Sequence, residues 1–120
     1  VMALPSIREF GGAVALEAMV CGAVPIVIRY GGPGELVTPS TGYLLEMSTR
    51  AEIVRQLRET LESIAADPGQ LAARRSAGIR RVRSRFTWGA KAAQVAEVYD
   101  WVLGRRPRKP DFGMPLPDST

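Results

Sequence analysis

PSIREFGGAVALEAMVCGAVPIV, residues 5–27 of a 120-residue chain, decides the fold. Pro5-Ser6 closes a short apolar run, VMAL (1–4), and Gly11-Gly12 turn the chain at once into a new segment. From Gly12 to Val20 that segment is apolar nearly all round, through Ala13, Val14, Ala15, Leu16, Ala18, Met19 and Val20. Such a pattern predicts a helix buried on most of its sides. Gly22 is a suitable stop for it. VPIVI (24–28) is β-branched without alternation, as expected of a strand covered on both faces. VMAL reads in the same way, as a central parallel strand.

Downstream, YGGPGELV (30–37) holds three glycines and a proline and reads as a loop leading into a short turn. TGYLLE (41–46) is a third short strand. Three amphipathic helices follow. Thr49 and Glu52 have capping-box spacing, ahead of a face made by Ile53, Val54, Leu57, Leu61 and Ile64. Asp67-Pro68 with Gln70 starts the second, whose apolar positions are Leu71, Ile79, Val82 and Phe86. The third spans about 88–103, with Val95, Val98, Tyr99 and Val102 expected to face inward and Trp88 and Tyr99 to anchor it. After Gly104, RRPRKPDFGMPLPDST has four prolines and no periodicity, so residues 104–120 are expected to form an extended or disordered basic arm beside a domain of residues 1–103. Strand, helix, strand, loop, strand and then helices is the order of half a doubly wound α/β domain.

With 46% hydrophobic and 23% charged residues the chain has the balance of a globular domain. No apolar run approaches the roughly 20 residues of a membrane-spanning helix. The opening residues lack a basic start, an apolar core and a cleavage site, and so are not a signal peptide. They read as the end of a buried strand, and further sequence is expected upstream. One cysteine and no histidine exclude an internal disulfide and leave no transition-metal cluster. Cys21 reads as a small buried hydrophobe, and the cytoplasm is the simplest compartment. The net charge of +4 is local, drawn from Arg74, Arg75, Arg80, Arg81, Arg83 and Arg85 and from Arg105, Arg106, Arg108 and Lys109.

Chemistry points to residues 9–17. Open parallel sheets place ligands at the carboxyl ends of their strands, and a helix start there offers free N–H groups and a partial positive charge of about half a unit. Gly11 and Gly12 remove side chains that would block that backbone. Glu9 stands at the strand end and Glu17 lies one to two turns into the helix. A carboxylate in so apolar a helix is costly unless it is paired or holds hydroxyl groups. Two carboxylates flanking a phosphate-ready helix start suit a ligand with an anionic middle and hydroxyl-rich ends, such as a sugar nucleotide.

At this point the segment resembles the Glu-(seven residues)-Glu signature of family-4 (group 1) retaining glycosyltransferases of the GT-B fold. It reads here as Glu9-FGGAVAL-Glu17, with Pro5-Ser6 before it and Ala18-Met19 after it. The likeness continues through Gly22, Pro25-Ile26-Val27, Gly31-Gly32, Glu35-Leu36-Val37 and Thr41-Gly42-Tyr43-Leu44-Leu45, and returns at Phe86-Thr87-Trp88 and Tyr99. The resemblance implies a Rossmann-like parallel-sheet half of a GT-B C-terminal domain, followed by a helical segment. It implies sugar transfer from a nucleoside diphosphate with retention of configuration, without a cofactor or bound metal. Glu9 then faces the transferred sugar as the catalytic residue. Gly12, Ala13 and Val14 bring backbone N–H groups to the sugar and diphosphate, Gly11 belongs to the same donor-binding turn, and Glu17 holds the ribose. The implied partners are the nucleotide-sugar donor, a glycan or lipid-linked acceptor and an N-terminal domain of the same enzyme, which also supplies the Arg and Lys of the diphosphate clamp. Two departures stand out. The aromatic follows the first glutamate directly, as Glu9-Phe10-Gly11, so Phe10 is left out of the site. Gly22-Ala23-Val24-Pro25 is one residue longer than the family's Gly-x-Pro.

Other readings remain beside this one. Glu9 and Glu17 also fit ordinary solvated carboxylates, and the glycines a tight turn. The arginines of 74–85 read first as a solvated helix face and second as a peripheral contact for anionic membrane lipid at the inner face of a membrane. A nucleic-acid-binding module would use the same cations, but the interleaved aromatics of a stacking platform are absent, so no nucleic acid is expected. A non-catalytic scaffold homologue is the third alternative.

Overall fold

The computed structural model describes residues 1–113. Its centre is a parallel sheet of β1 (Met2–Leu4), β2 (Pro25–Ile28) and β3 (Tyr43–Leu45), in that spatial order. Ala3 pairs with Ile26, and Ile26 with Tyr43. All four residues of β2 are buried, which is why its sequence shows no alternation. Among the described strands β1 stands at one end of the sheet, with Val1 and Ala3 exposed.

Helix α1 (Ala13–Val20) covers one face of the sheet, and α4 (Leu71–Arg85) packs across it. Ala15, Met19, Val27, Val37 and Val82 form that core, with Met2, Leu4 and Leu44 beside them. Gly78 lets the two helices approach, since a Cβ there would stand 3.2 Å from Met19 Cγ. Helix α3 (Arg50–Ala66) covers the other face through Ile53 and Ile64, which meet Ile26, Ile28 and Leu45. Thr49 caps α3 by accepting from the Glu52 N–H at 3.3 Å. Only that half of the capping box forms with its own partner, because the Glu52 carboxylate pairs with Arg55. Asp67 opens a 3₁₀ turn, Pro68–Gln70, that leads directly into α4.

Several expectations change. Residues 31–36 form a short helix, α2 (Gly31–Leu36), in place of a loop and turn. Pro33 sits in its first turn, where a missing N–H costs nothing. Helix α1 is not buried on most sides. Only Ala15 and Met19 are buried, while Ala13, Val14, Glu17 and Val20 face outward. Cys21, expected inside, is exposed at the helix end. Helix α5 (Trp88–Val102) has no buried residue. Val95, Tyr99 and Val102, expected to face the core, are exposed, and Trp88 is 93% exposed instead of anchoring the helix. The reason is geometric: α5 meets the body mainly through α4.

The start of the expected arm turns back. Gly104 takes φ +71, and the N–H groups of Arg105 and Arg106 both donate to the Asp100 carbonyl. Arg106 pairs with Glu97, and Pro110 is buried. Residues 109–112 and the Val98–Trp101 flank of α5 enclose a cleft of about 420 Å³. The remainder of the arm, residues 114–120, lies outside the described residues.

Candidate functional site

Adjacent parallel strands end on the same side of a sheet, so the segments that follow β1 and β2 lie together. The first, residues 5–12, carries Glu9 and ends at Gly12, the N-cap of α1, which takes φ +65. Having no side chain, Gly12 cannot cap the helix itself. The Glu9 carboxylate does so from three residues upstream, its Oε1 accepting from the Gly12 N–H at 3.1 Å. A carboxylate is favoured at that end of a helix by about 0.3–1 kcal/mol.

The second segment is α2. Its glycines, read in the sequence as part of a loop, make close backbone contacts. A Cβ on Gly32 would lie 2.4 Å from the Phe10 carbonyl oxygen and 2.6 Å from that of Gly11. One on Gly12 would lie 2.6 Å from Pro33 Cγ, and one on Gly31 3.0 Å from the Glu9 carbonyl oxygen. The two segments therefore pack backbone on backbone, and α2 fixes the loop that carries Glu9. Two glycine pairs, each just past a parallel strand, were the available signal for this contact.

The six residues singled out for the site divide as follows. Glu9 is half-buried and engaged with Gly12. Gly11 is exposed, with open space where a Cβ would be. Ala13 and Val14 are exposed in the first turn of α1, and among the described residues their N–H groups meet no backbone acceptor, as expected of a helix start. Glu17 is exposed, one helical turn beyond Ala13 and Val14 and on their side of α1. In that exposed position its carboxylate is solvated and needs no protein partner. Phe10, left out on sequence grounds, is 99% exposed. Arg29, at the end of β2, donates from Nε to Glu46 at 2.8 Å, so this cation at the same end of the sheet is engaged with a carboxylate of its own.

Glu9, the open start of α1 and Glu17 thus form one continuous outward face, not a closed pocket. The cleft on α5 shares none of its lining residues with 5–17. Among the described residues no cluster of His, Cys, Asp or Glu is arranged to hold a metal ion. No helix there is long and apolar enough to cross a membrane.

Residues 1–76 match the family of glycosyl transferases group 1. The chain belongs to that family. A D-inositol 3-phosphate glycosyltransferase of Thermobispora bispora is 38% identical over 103 residues, covering 85% of this chain and 23% of that protein. A GDP-mannose-dependent monoacylated alpha-(1-6)-phosphatidylinositol monomannoside mannosyltransferase of Corynebacterium glutamicum is 39% identical over 87 residues, 72% of this chain and 22% of that one. The structure of sucrose-phosphate synthase from Thermosynechococcus elongatus superposes with a TM-score of 0.70 at 31% identity, over 87% of this chain and 25% of its own. This group 1 glycosyl transferase chain therefore spans about a quarter of the length of these relatives. Its α/β architecture is that of the parallel-sheet part of a GT-B C-terminal domain.

Proposed function

We propose that the chain forms the donor half of a retaining glycosyltransferase that moves a sugar from a nucleoside diphosphate to a glycan or lipid-linked acceptor. The observation that carries this reading is the face formed by Glu9, the open first turn of α1 and Glu17. A diphosphate suits the N–H groups of Ala13 and Val14, with Gly11 leaving room for it. Glu9 on one side suits the hydroxyls of the transferred sugar and Glu17 on the other those of a ribose. The name of the Corynebacterium relative includes a GDP-sugar, which supports a nucleotide donor. No metal or cofactor enters the proposal. The site is an open face, which fits a second wall contributed by an N-terminal domain that also carries the diphosphate-binding Arg and Lys. The outward arginines of α4 and the arm leave room for a peripheral contact with a membrane at the cytoplasmic face.

Ligand-observed NMR with UDP, GDP and ADP tests this. Weak, selective binding of one nucleotide is expected, with loss in Glu17→Ala, a substitution whose exposed position leaves the fold intact. A chain that binds none of them, alone and when extended upstream, would overturn the reading.

A further inference from the structure

Helix α2 holds the Glu9 loop, yet little in its own sequence holds α2. Three of its six residues are glycine, a poor helix former, and a fourth is proline. Tyr30 at its N-cap makes no side-chain cap bond, and the Gly34 N–H reaches the Tyr30 carbonyl at 3.4 Å, long for such a bond. Better helix formers do not fit at the contact, because a Cβ on Gly31 or Gly32 would stand 3.0 or 2.4 Å from a loop carbonyl oxygen. The residues that make the contact therefore weaken the helix that carries them.

Support reaches α2 from 45 residues further along the chain. Half-buried Arg81 of α4 donates from Nε to the carbonyl of Leu36, the last residue of α2, at 3.0 Å. Carbonyls of a final helical turn have no partner within the helix, and a cation is favoured at that end. The next residue, Val37, joins the core cluster that includes Val82, the neighbour of Arg81. Helix α4 also carries α1, with Gly78 against Met19. One helix thus braces both elements that frame the Glu9 loop.

The arrangement is costly for Arg81. Burial first, and then the charge of Arg85, push its guanidinium below the ordinary value, and Nη2 is buried with no partner among the described residues. Packing alone is served as well by an apolar side chain of similar length. What such a side chain cannot supply is a donor for the Leu36 carbonyl.

We propose that Arg81 is a positioning residue for the donor site: its bond to the Leu36 carbonyl holds α2 against the backbone of residues 9–11 and so keeps the Glu9 carboxylate on the Gly12 N–H. The inference rests on the reading of Glu9 as part of a donor site, while the positioning itself is measured without a nucleotide.

The test is amide NMR on the whole chain, with the Gly12 N–H, buried and bonded to Glu9, as reporter. Arg81→Met keeps most of the stem and removes the donor, and Arg81→Lys restores a cationic donor. In Arg81→Met the solvent exchange of Gly12 should rise about tenfold, the worth of one charge-assisted bond, and its amide signal should shift. Tm should hold or rise, because a costly buried charge is gone. Arg81→Lys should return most of the protection. Ile64→Val, which loosens the opposite face of the sheet, should lower Tm and leave Gly12 unmoved. Whichever of UDP, GDP and ADP the parent chain binds should bind Arg81→Met about tenfold more weakly. A Gly12 response in a chain that binds no nucleotide keeps the positioning and removes the donor-site reading. Gly12 unchanged in Arg81→Met, or moved equally by Ile64→Val, refutes the positioning whatever the nucleotides do. A large fall in Tm with a general rise in exchange across Arg81→Met also refutes it, since Arg81 is then a support of the whole fold.

Discussion

Replacing Gly32 with alanine tests the central structural claim, that α2 fixes the loop carrying Glu9. The new methyl group would lie 2.4, 2.6 and 2.7 Å from backbone atoms of Phe10 and Gly11. No side chain can rotate away, because the obstacles are carbonyl groups of the loop itself. Restoring ordinary contact needs a displacement of about 1 Å. Gly32 does not have a positive φ, so the effect is steric and not conformational. Overpacking of this kind costs about 1–3 kcal/mol, which for a domain of this size lowers Tm by roughly 4–15 °C. Gly89→Ala is the control. It lies in the first turn of α5 with nothing within 4 Å of the added atom, and is expected to leave Tm unchanged or raise it by about 0.4–1 kcal/mol equivalent. Melting curves by circular dichroism read both variants, and nucleotide titration then reads whether the displaced loop also weakens binding. If Gly32→Ala melts with the parent chain, the two segments do not pack as described and the placement of Glu9 loses its support.

Three further outcomes follow from the same structure. Thr49→Ala removes the cap accepting from the Glu52 N–H and should destabilise the chain by about 0.5–2 kcal/mol in urea unfolding. The hydrogen bond from Arg55 lowers the Glu52 carboxyl below its ordinary value, outweighing a slight opposing effect of burial. Its contribution is therefore present above the ordinary value and fades as pH falls through the lowered one, so Glu52→Gln should flatten that part of the acid limb in melts taken from about pH 5 downward. Cys21, free and exposed, should react with a thiol reagent in the folded chain nearly as fast as in urea, and strong protection of the folded thiol would contradict its outward position.

The parts of this structure that sequence discloses are those set by local chemistry. The buried β2, the cap at Thr49, the turn at Asp67-Pro68 and the start of α1 at Gly12 each follow from a few adjacent residues. What stays hidden depends on what covers a surface. The apolar residues of α1 suggest burial on most sides, yet Val14 and Val20 face outward. Those of α5 suggest a core face, yet Trp88, Val95, Tyr99 and Val102 point away from the body. Periodicity shows which residues share a face, and not whether this chain supplies the opposing surface. Of the candidate face, the glycine turn and the place of Glu17 one turn into α1 followed from local spacing, whereas Glu9 sits in the loop before the helix. The contact of Gly12 with Pro33 and of Gly32 with the Phe10 carbonyl was not legible, because it joins segments separated by twenty residues.

The bond between Glu9 and the Gly12 N–H bears on how an anion reaches the helix start. That hydrogen is already committed to a carboxylate, so under the proposed function a phosphate there would have to exchange with Glu9 for it, while the N–H groups of Ala13 and Val14 would be open to simple addition. Such an exchange would gain only the difference between two charge-assisted bonds, and it would release the displaced carboxylate to turn toward whatever lies beside the phosphate.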